Sequence, residues 1–163
     1  MILNRQRTVR VARPPLEAFL ARVREQLRLN GAEITVALVS DPAIARMNET
    51  FRHKKGPTDV LSFPSDALPR RARSRSREGT TSVVPKNATR KGALAPEGHS
   101  LGDIAISPAT ARRNAKKFGR TLPIELQILI LHGVLHLLGY DHETDNGQMT
   151  RVENRLRRKL GLQ

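Results

Sequence analysis

The apolar run from Leu122 to Leu138 constrains the fold of this chain more than any other segment. Pro123 suits the first turn of a helix, and apolar residues then follow on nearly all sides, interrupted by Glu125, Gln127 and two histidines. The run is shorter than the roughly 20 residues that a membrane-spanning helix needs. It therefore predicts a helix over about 121–138 that is buried in the middle of the molecule.

Three histidines stand at the end of this helix, in the run HGVLHLLGYDH: His132, His136 and His142. The i, i+4 spacing puts the first two imidazoles on one helix face, and Gly139 lets the chain leave the helix so that the third turns back. Burying two unpaired imidazoles would cost on the order of a few kcal/mol, and a bound metal removes that penalty. Three ligands without a fourth are typical of catalytic zinc, so we expect one Zn²⁺ per chain.

The same spacing matches the HExxHxxGxxH signature of zinc peptidases, with one difference. The residue after the first histidine, a glutamate that takes a proton from water in those peptidases, is Gly133 here. This glycine either opens space beside the metal for a larger substrate or permits close helix packing. Peptide hydrolysis by the usual route is disfavoured, and a metallopeptidase stays as an alternative. His53 and His99 lack ligand spacing and are predicted to be ordinary surface residues.

The charge balance indicates a polyanionic partner. The chain has 29 Lys and Arg against 15 Asp and Glu, a formal net charge of +14. Such a field attracts nucleic acid, and with four phenylalanines, one tyrosine and no tryptophan the contact is expected mainly with phosphates. The absence of cysteine excludes disulfides and thiolate metal sites, so a reducing cytoplasm is the expected location. The length of 163 residues suits one domain.

Other segments predict strands and amphipathic helices around the central helix. Strands are expected in EITVALVS, TDVLSFP and LGDIAIS, and a short basic helix before Gly119. Asp41 and Pro42 are expected to cap and begin a second helix. The residues expected to face inward from three helices are Leu16, Phe19, Leu20, Val23 and Leu27, then Ile44, Met47 and Phe51, then Met149, Val152, Leu156 and Leu160.

Periodicity is lost between about residues 66 and 100, where arginines alternate with small or polar residues. This composition predicts a flexible basic insertion. It is either a solvated loop or an accessory arm that orders on contact with RNA.

The run HGVLHLLGYDH, preceded by NETFRHKKGPTDVLSFP (48–64) and LGDIAIS, resembles the YbeY family of bacterial endoribonucleases. These motifs occur in order and, with the helices between them, cover nearly all the chain except the insertion, where the family would have a short connection. The resemblance implies a single YbeY-like domain over 1–163 with an α+β fold, a small mixed β-sheet packed with about five helices. It also implies zinc held on the central helix by His132, His136 and His142.

The implied activity is that of a zinc-dependent, single-strand-specific endoribonuclease in 3′-end maturation of 16S ribosomal RNA and in ribosome quality control. Expected partners are ribosomal RNA, the small ribosomal subunit and ribosome-assembly proteins, with no membrane. The nucleophile is either zinc-activated water or the 2′-hydroxyl of the substrate. A non-enzymatic RNA-binding or ribosome-assembly factor with a structural zinc is the alternative from another class.

Arg52 matches the arginine that the family places at its active-site cleft, so Arg52 and His132 are the predicted catalytic residues. A guanidinium can hold a scissile phosphate bidentately and stabilise the extra charge of the transition state. The candidates for RNA contact are Lys54, Lys55, Arg112 and Arg113. Asp59 and Asp103 are expected to organise the fold as hydrogen-bond acceptors, although either could supply a missing base. Tyr140 and Asp141 are expected to form a turn that aims His142.

Overall fold

The computed structural model describes residues 1–65, 100–141 and 145–162. Within them the chain forms four strands and five helices. In chain order these are β1 (Ile2–Asn4), α1 (Arg13–Gln26), β2 (Glu33–Leu38), α2 (Asp41–Arg52), β3 (Val60–Pro64), β4 (Ser100–Ile106), α3 (Pro108–Lys117), α4 (Leu122–Leu137) and α5 (Gln148–Leu160). The predicted α+β class is confirmed. The predicted insertion lies outside the described residues, except that Ser100 begins β4.

The strands form one mixed sheet in the order β1-β2-β4-β3. Parallel pairing joins β1 to β2 and β2 to β4, whereas β3 runs antiparallel to β4 and is an edge strand. The central strand β4 sets Ile104 opposite Val36 on one side and opposite Ser62 on the other. The edge position of β3 matters for the site, because this strand runs beside the histidine-bearing helix.

Helix α4 lies in the middle of the molecule, as its composition predicts. Its residues Ile130, Leu131 and Leu135 are completely buried, and they pack with α1 and with one face of the sheet. Burial of each such side chain contributes about 1.5–3 kcal/mol relative to exposure. This packing fixes the axis of α4, and therefore the direction in which its histidines project.

A smaller core lies under α2 on the opposite face of the sheet and centres on Ile44 and Leu61. One prediction for α2 is wrong, because Phe51 is 64% exposed. It occupies the last turn of the helix, where its ring meets the half-buried Phe63 edge to face, with centroids 5.1 Å apart. The small core ends before this turn, so periodicity alone misplaces the ring.

Asp41 also has a different role from the predicted helix cap. Ser40 is the N-cap of α2, and Asp41 is the first helical residue. The Asp41 carboxylate accepts hydrogen bonds from Ser107, from Thr110 at 2.9 Å and from Arg113 at 2.8 Å. It therefore ties the start of α2 to the start of α3.

The strand β1 has no counterpart in the sequence-based prediction. It has only three residues, too few to show alternation, and it forms because Leu3 and its neighbours pair with β2. Among the described residues, no single helix is long and apolar enough to cross a membrane. Within the same residues, α3 and α4 reach the length and apolar composition of a membrane span only when they are counted together, and the two helices are bent by 111°.

Candidate active site

His132 and His136 converge on one face of α4. Their Nε2 atoms lie 3.1 Å apart, and the rings meet at 73° with centroids 4.7 Å apart. Both side chains are partly exposed, unlike most of the helix around them. The i, i+4 spacing thus gives two imidazole nitrogens directed at one point, as the sequence predicts.

A buried carboxylate orients the first of these histidines. Glu153 of α5 lies with Oε2 3.1 Å from His132 Nδ1, and its Oε1 accepts a bond of 2.5 Å from Arg157. Burial alone raises the pKa of Glu153, but the hydrogen bond with His132 and the charge of Arg157 outweigh it, so the pKa is lowered. An ionised carboxylate only accepts hydrogen bonds, so Nδ1 of His132 carries the hydrogen and Nε2 keeps a lone pair in the neutral ring.

This arrangement fits a metal ion. A tetrahedral zinc with Zn–N bonds of about 2.0–2.1 Å separates two ligand nitrogens by about 3.3 Å. The 3.1 Å between the two Nε2 atoms is close to that value. A carboxylate behind the ligating imidazole is the usual support for such a ligand. In residues 1–65, 100–141 and 145–162, no group of three or more His, Cys, Asp or Glu is placed to hold a metal. The predicted third ligand, His142, lies outside these ranges.

The helix leaves its axis after the histidine pair, as predicted. Gly139 has a left-handed φ of 84°, and its N–H donates to the carbonyl of His136 at 2.9 Å. Tyr140 is half-buried against the main core and donates its N–H to Leu135. The chain therefore turns at Gly139, and the predicted aim of His142 stays a prediction.

Gly133 is explained by close packing. A Cβ at this position would lie 2.8 Å from Cγ2 and 2.9 Å from Cδ1 of Ile104, which is fully buried in β4. The glycine therefore lets α4 approach the sheet. A side chain at 133 would begin against the sheet, so this position opens no space for a larger substrate. The zinc-peptidase signature has its glutamate at this same position, 133.

The loop that follows Arg52 is held in shape by a buried amide. Arg52 is the exposed last residue of α2, and the chain turns at His53 with a left-handed φ of 54°. Asn48 is 5% exposed, and its side-chain amide donates to the carbonyl of Gly56 at 3.0 Å. The backbone carbonyl of Asn48 accepts from the N–H of Lys54. Asn48 thus braces the basic segment 52–56 from inside.

The edge strand β3 connects this loop with the histidine helix. Ser62 Oγ donates to the carbonyl of Gly133 at 3.2 Å, so β3 lies against α4 beside the histidine pair. The next residue, Phe63, contacts Phe51, which is adjacent to Arg52. The structure therefore brings His132 and His136 together, and contacts lead from α4 through β3 to Phe51, whereas the place of Arg52 beside the histidines stays a prediction.

Asp59 organises the fold, as expected. Its carboxylate accepts from the N–H of Val60 at 2.9 Å and from the Asn114 side chain at 3.0 Å. It is occupied with joining the start of β3 to α3, which disfavours Asp59 as the missing base. Asp103 is exposed in β4 opposite Phe63, and its role stays a prediction.

The predicted RNA-contact residues differ in how they are engaged. Lys54, Lys55 and Arg112 are exposed. Arg113 is also exposed, but it pairs with Asp41 at 2.8 Å, and this pairing offsets part of its charge. His53 is exposed, as predicted for an ordinary surface residue, and His99 lies outside the described residues.

Two residues that shape the site, Glu153 and Asn48, are not among those predicted from the sequence. Glu153 is buried, while its neighbour Val152 is partly buried and packs against the main core, as predicted. The spacing of Glu153 from Met149 and Leu156 is a usable signal, because a carboxylate in an apolar stripe requires a partner. The sequence gives a weaker signal for Asn48, because its burial depends on the loop after α2 folding back to place Gly56 beside it.

Comparison with known proteins decides the family. The family model described as Endoribonuclease YbeY matches residues 1–161. This chain belongs to the YbeY endoribonuclease family. Curated proteins named Endoribonuclease YbeY include one from Solibacter usitatus, 39% identical over 92% of this chain and 80% of that protein. The protein of that name from Nautilia profundicola is 39% identical over 82% of this chain and 76% of its own length. The one from Koribacter versatilis is 36% identical over 99% of this chain and 86% of its own length.

The fold is similar to that of a solved structure. A solution structure of a Thermotoga maritima protein aligns with a TM-score of 0.57, at 24% identity, over 98% of this chain and 89% of that one. Membership in the YbeY family confirms the predicted family and the predicted class of enzyme, an endoribonuclease acting on RNA. The zinc ligands and the residue roles stay predictions.

Proposed function

We propose that this YbeY-family protein is a zinc-dependent, single-strand-specific endoribonuclease that matures the 3′ end of 16S ribosomal RNA. The observation that carries the proposal is the pair of Nε2 atoms 3.1 Å apart on α4, with His132 held by the buried Glu153. A role in ribosome quality control, in the cytoplasm and with the small ribosomal subunit and assembly proteins, belongs to the same proposal.

His132, His136 and His142 would hold the metal. Zinc bound there supplies Lewis acidity to a phosphate oxygen or to the attacking water. The work of Glu153 is to hold the hydrogen on His132 Nδ1, so that Nε2 stays available as a ligand in the neutral ring. This positioning persists through the reaction because Arg157 holds the other oxygen of the same carboxylate.

Arg52 would bind the scissile phosphate. Its guanidinium offers paired donors to two phosphate oxygens, and the extra negative charge of the pentavalent transition state strengthens both hydrogen bonds. Asn48 supports this role by bracing the loop that follows Arg52. Because Phe51 and Phe63 join the end of α2 to β3, a shift of that strand would displace the arginine relative to the histidines.

The attacking oxygen is either water or the 2′-hydroxyl of the RNA. It loses a proton as its bond to phosphorus forms, and the leaving 5′-oxygen gains one as its bond breaks. Attack by the 2′-hydroxyl leaves a 2′,3′-cyclic phosphate, whereas direct attack by water does not. The chemistry of the product ends, read by mass spectrometry, therefore identifies the nucleophile.

Four variants test the proposal on metal-quantified protein with a ribosomal RNA fragment. We expect His132→Ala to abolish cleavage and Arg52→Ala to lower kcat by about 10²–10³-fold, the usual effect of removing one donor to a developing charge. Arg46→Ala and Arg155→Ala are matched controls, because both are exposed arginines, on α2 and α5, that have no part in the proposed site.

The alternative functions predict other results. A folded His132→Ala protein that binds and cuts RNA as the wild type does would contradict the nuclease site and favour an assembly factor with a structural zinc. Peptide cleavage that a chelator abolishes would favour a metallopeptidase. It would contradict the expectation from Gly133, which packs against Ile104 where the peptidases have their glutamate.

A further inference from the structure

A cleft of about 320 Å³ lies directly beside His132. Its lining includes His132 itself, Phe118 from the end of α3, and Arg120 from the connection between α3 and α4. The volume falls at the lower end of the range for small-ligand sites, roughly 300–1,000 Å³. A molecule that occupies the cleft is therefore next to His132.

Phe118 presents an aromatic ring at this cleft that is left 55% exposed. Two cations flank it. Lys117 Nζ lies 5.8 Å from the ring centroid and Arg120 Cζ lies 5.2 Å from it. Arg120 is fixed in place by a 3.1 Å ion pair with Glu125, which is 3% exposed. The ring is thus an exposed flat surface beside a guanidinium that a buried carboxylate keeps in position.

The charges inside the cleft are largely balanced. Glu125 is paired with Arg120, and Arg157, which also lines the cleft, is paired with Glu153. Asp59 is occupied by hydrogen bonds from Val60 and Asn114. Such an interior does not favour a phosphate. It suits a flat group without net charge that stacks on a ring, and a nucleobase has this chemistry.

The rim of the cleft differs from its interior. Lys116 and Lys117, in the last turn of α3, are exposed beside Phe118. A strand whose base enters the cleft would place its phosphates near these lysines. The base in the cleft and the backbone on the rim together describe one nucleotide of a single strand, because a paired base would be stacked within its own helix.

We propose that this cleft is a nucleobase subsite, in which Phe118 stacks on a base of single-stranded RNA close to the phosphate that is cut, while Lys116 and Lys117 contact its backbone. The proposal rests on the proposed function, since it assigns a subsite for the same substrate. It also accounts for a preference for single strands through one ring, without an extended stacking platform.

Replacing Phe118 with Trp gives a direct reporter, because the natural chain has no tryptophan. We expect a short single-stranded RNA to quench the fluorescence of Phe118→Trp, and inorganic polyphosphate, which lacks bases, to leave it unchanged. Phe51→Trp is the matched control, because Phe51 is also an exposed phenylalanine beside basic residues. Because Phe51 adjoins Arg52, which is proposed to bind phosphate, any change in fluorescence at 51 should be similar with RNA and with polyphosphate. Quenching at 118 by both ligands, or by neither, overturns the proposal.

Affinity provides the second readout. Phe118→Ala and Phe118→Leu should each raise the Kd for the RNA by at least about fivefold, whereas Phe118→Tyr should stay near the wild type because it retains the ring. The exposed position predicts unchanged thermal unfolding for all three. If wild-type protein cuts RNA while Phe118→Ala binds it equally well, the subsite is wrong and the nuclease stands. If wild-type protein neither binds nor cuts RNA, both proposals are wrong.

Discussion

The packing of α4 against the sheet predicts what Gly133→Ala does to stability. The added Cβ would lie 2.8 Å and 2.9 Å from two carbons of Ile104, shorter than real Cβ contacts allow. Overpacking of this kind costs about 1–3 kcal/mol. Alanine inside a helix stabilises the folded state by about 0.5–1 kcal/mol relative to glycine, which offsets part of this cost. The net expectation is a loss of up to roughly 2.5 kcal/mol in the free energy of unfolding, and no gain.

Urea unfolding followed by circular dichroism measures this difference, and the thermal midpoint should fall by a few °C. Ile104→Val is the partner variant because it removes Cδ1, the carbon at 2.9 Å. Alone it should cost about 0.5–1.5 kcal/mol. In protein that already carries Ile104→Val, Gly133→Ala should cost less stability than it does in the wild type. The double variant should therefore be more stable than the sum of the two single losses predicts.

An increase in stability on Gly133→Ala would refute this account of the glycine. An equal cost in both backgrounds would also refute it, because the contact with Ile104 would then have no part in the effect. The same geometry predicts that Gly133→Glu destabilises the protein and adds no peptidase activity, since the new side chain would start inside the packed interface.

Three further predictions follow from the described contacts. Glu153→Gln should weaken zinc binding by about 10–100-fold in chelator competition, while Glu49→Gln, on an exposed surface of α2, should not; equal affinities would contradict the role given to Glu153. For Asp41, burial raises the pKa, but hydrogen bonds from Ser107, Arg113 and Thr110 outweigh it and lower the pKa below its ordinary value of 3.8. The stabilisation that the ionised Asp41 gives the fold is therefore complete above pH 3.8 and is lost as pH falls through the lowered pKa. In urea unfolding, the free energies of unfolding of the wild type and Asp41→Asn should differ by more at pH 6 than at pH 3. An equal difference at both pH values would contradict this role. RNA affinity should fall with salt at a slope of about −0.7 per neutralised phosphate, and a flat response in a filter-binding titration would exclude phosphate contact.

Local pattern was sufficient for the elements with strong periodicity. The apolar run predicts α4, and the i, i+4 spacing predicts that His132 and His136 meet, because both features are properties of one helix. The strand motifs predict β2, β3 and β4 for the same reason. The turn at Gly139 follows from its freedom to adopt a left-handed φ.

Features that depend on contact between distant segments could not be predicted in this way. Glu153 reaches His132 only because α5 packs beside α4, across 21 positions of sequence. The explanation of Gly133 requires Ile104 in β4, and the exposure of Phe51 requires knowing where the small core ends. The position of Phe118 beside His132 likewise depends on how α3 meets α4.

The most direct test of the central claim is the rate of RNA cleavage as a function of bound zinc per chain. Metal-free protein is titrated with zinc, the bound metal is quantified, and the initial rate is measured on one single-stranded ribosomal RNA fragment. The account predicts that the rate rises in proportion to bound zinc and saturates at about one ion per chain, the stoichiometry of a single three-histidine site. Full cleavage by protein that contains no zinc would contradict it.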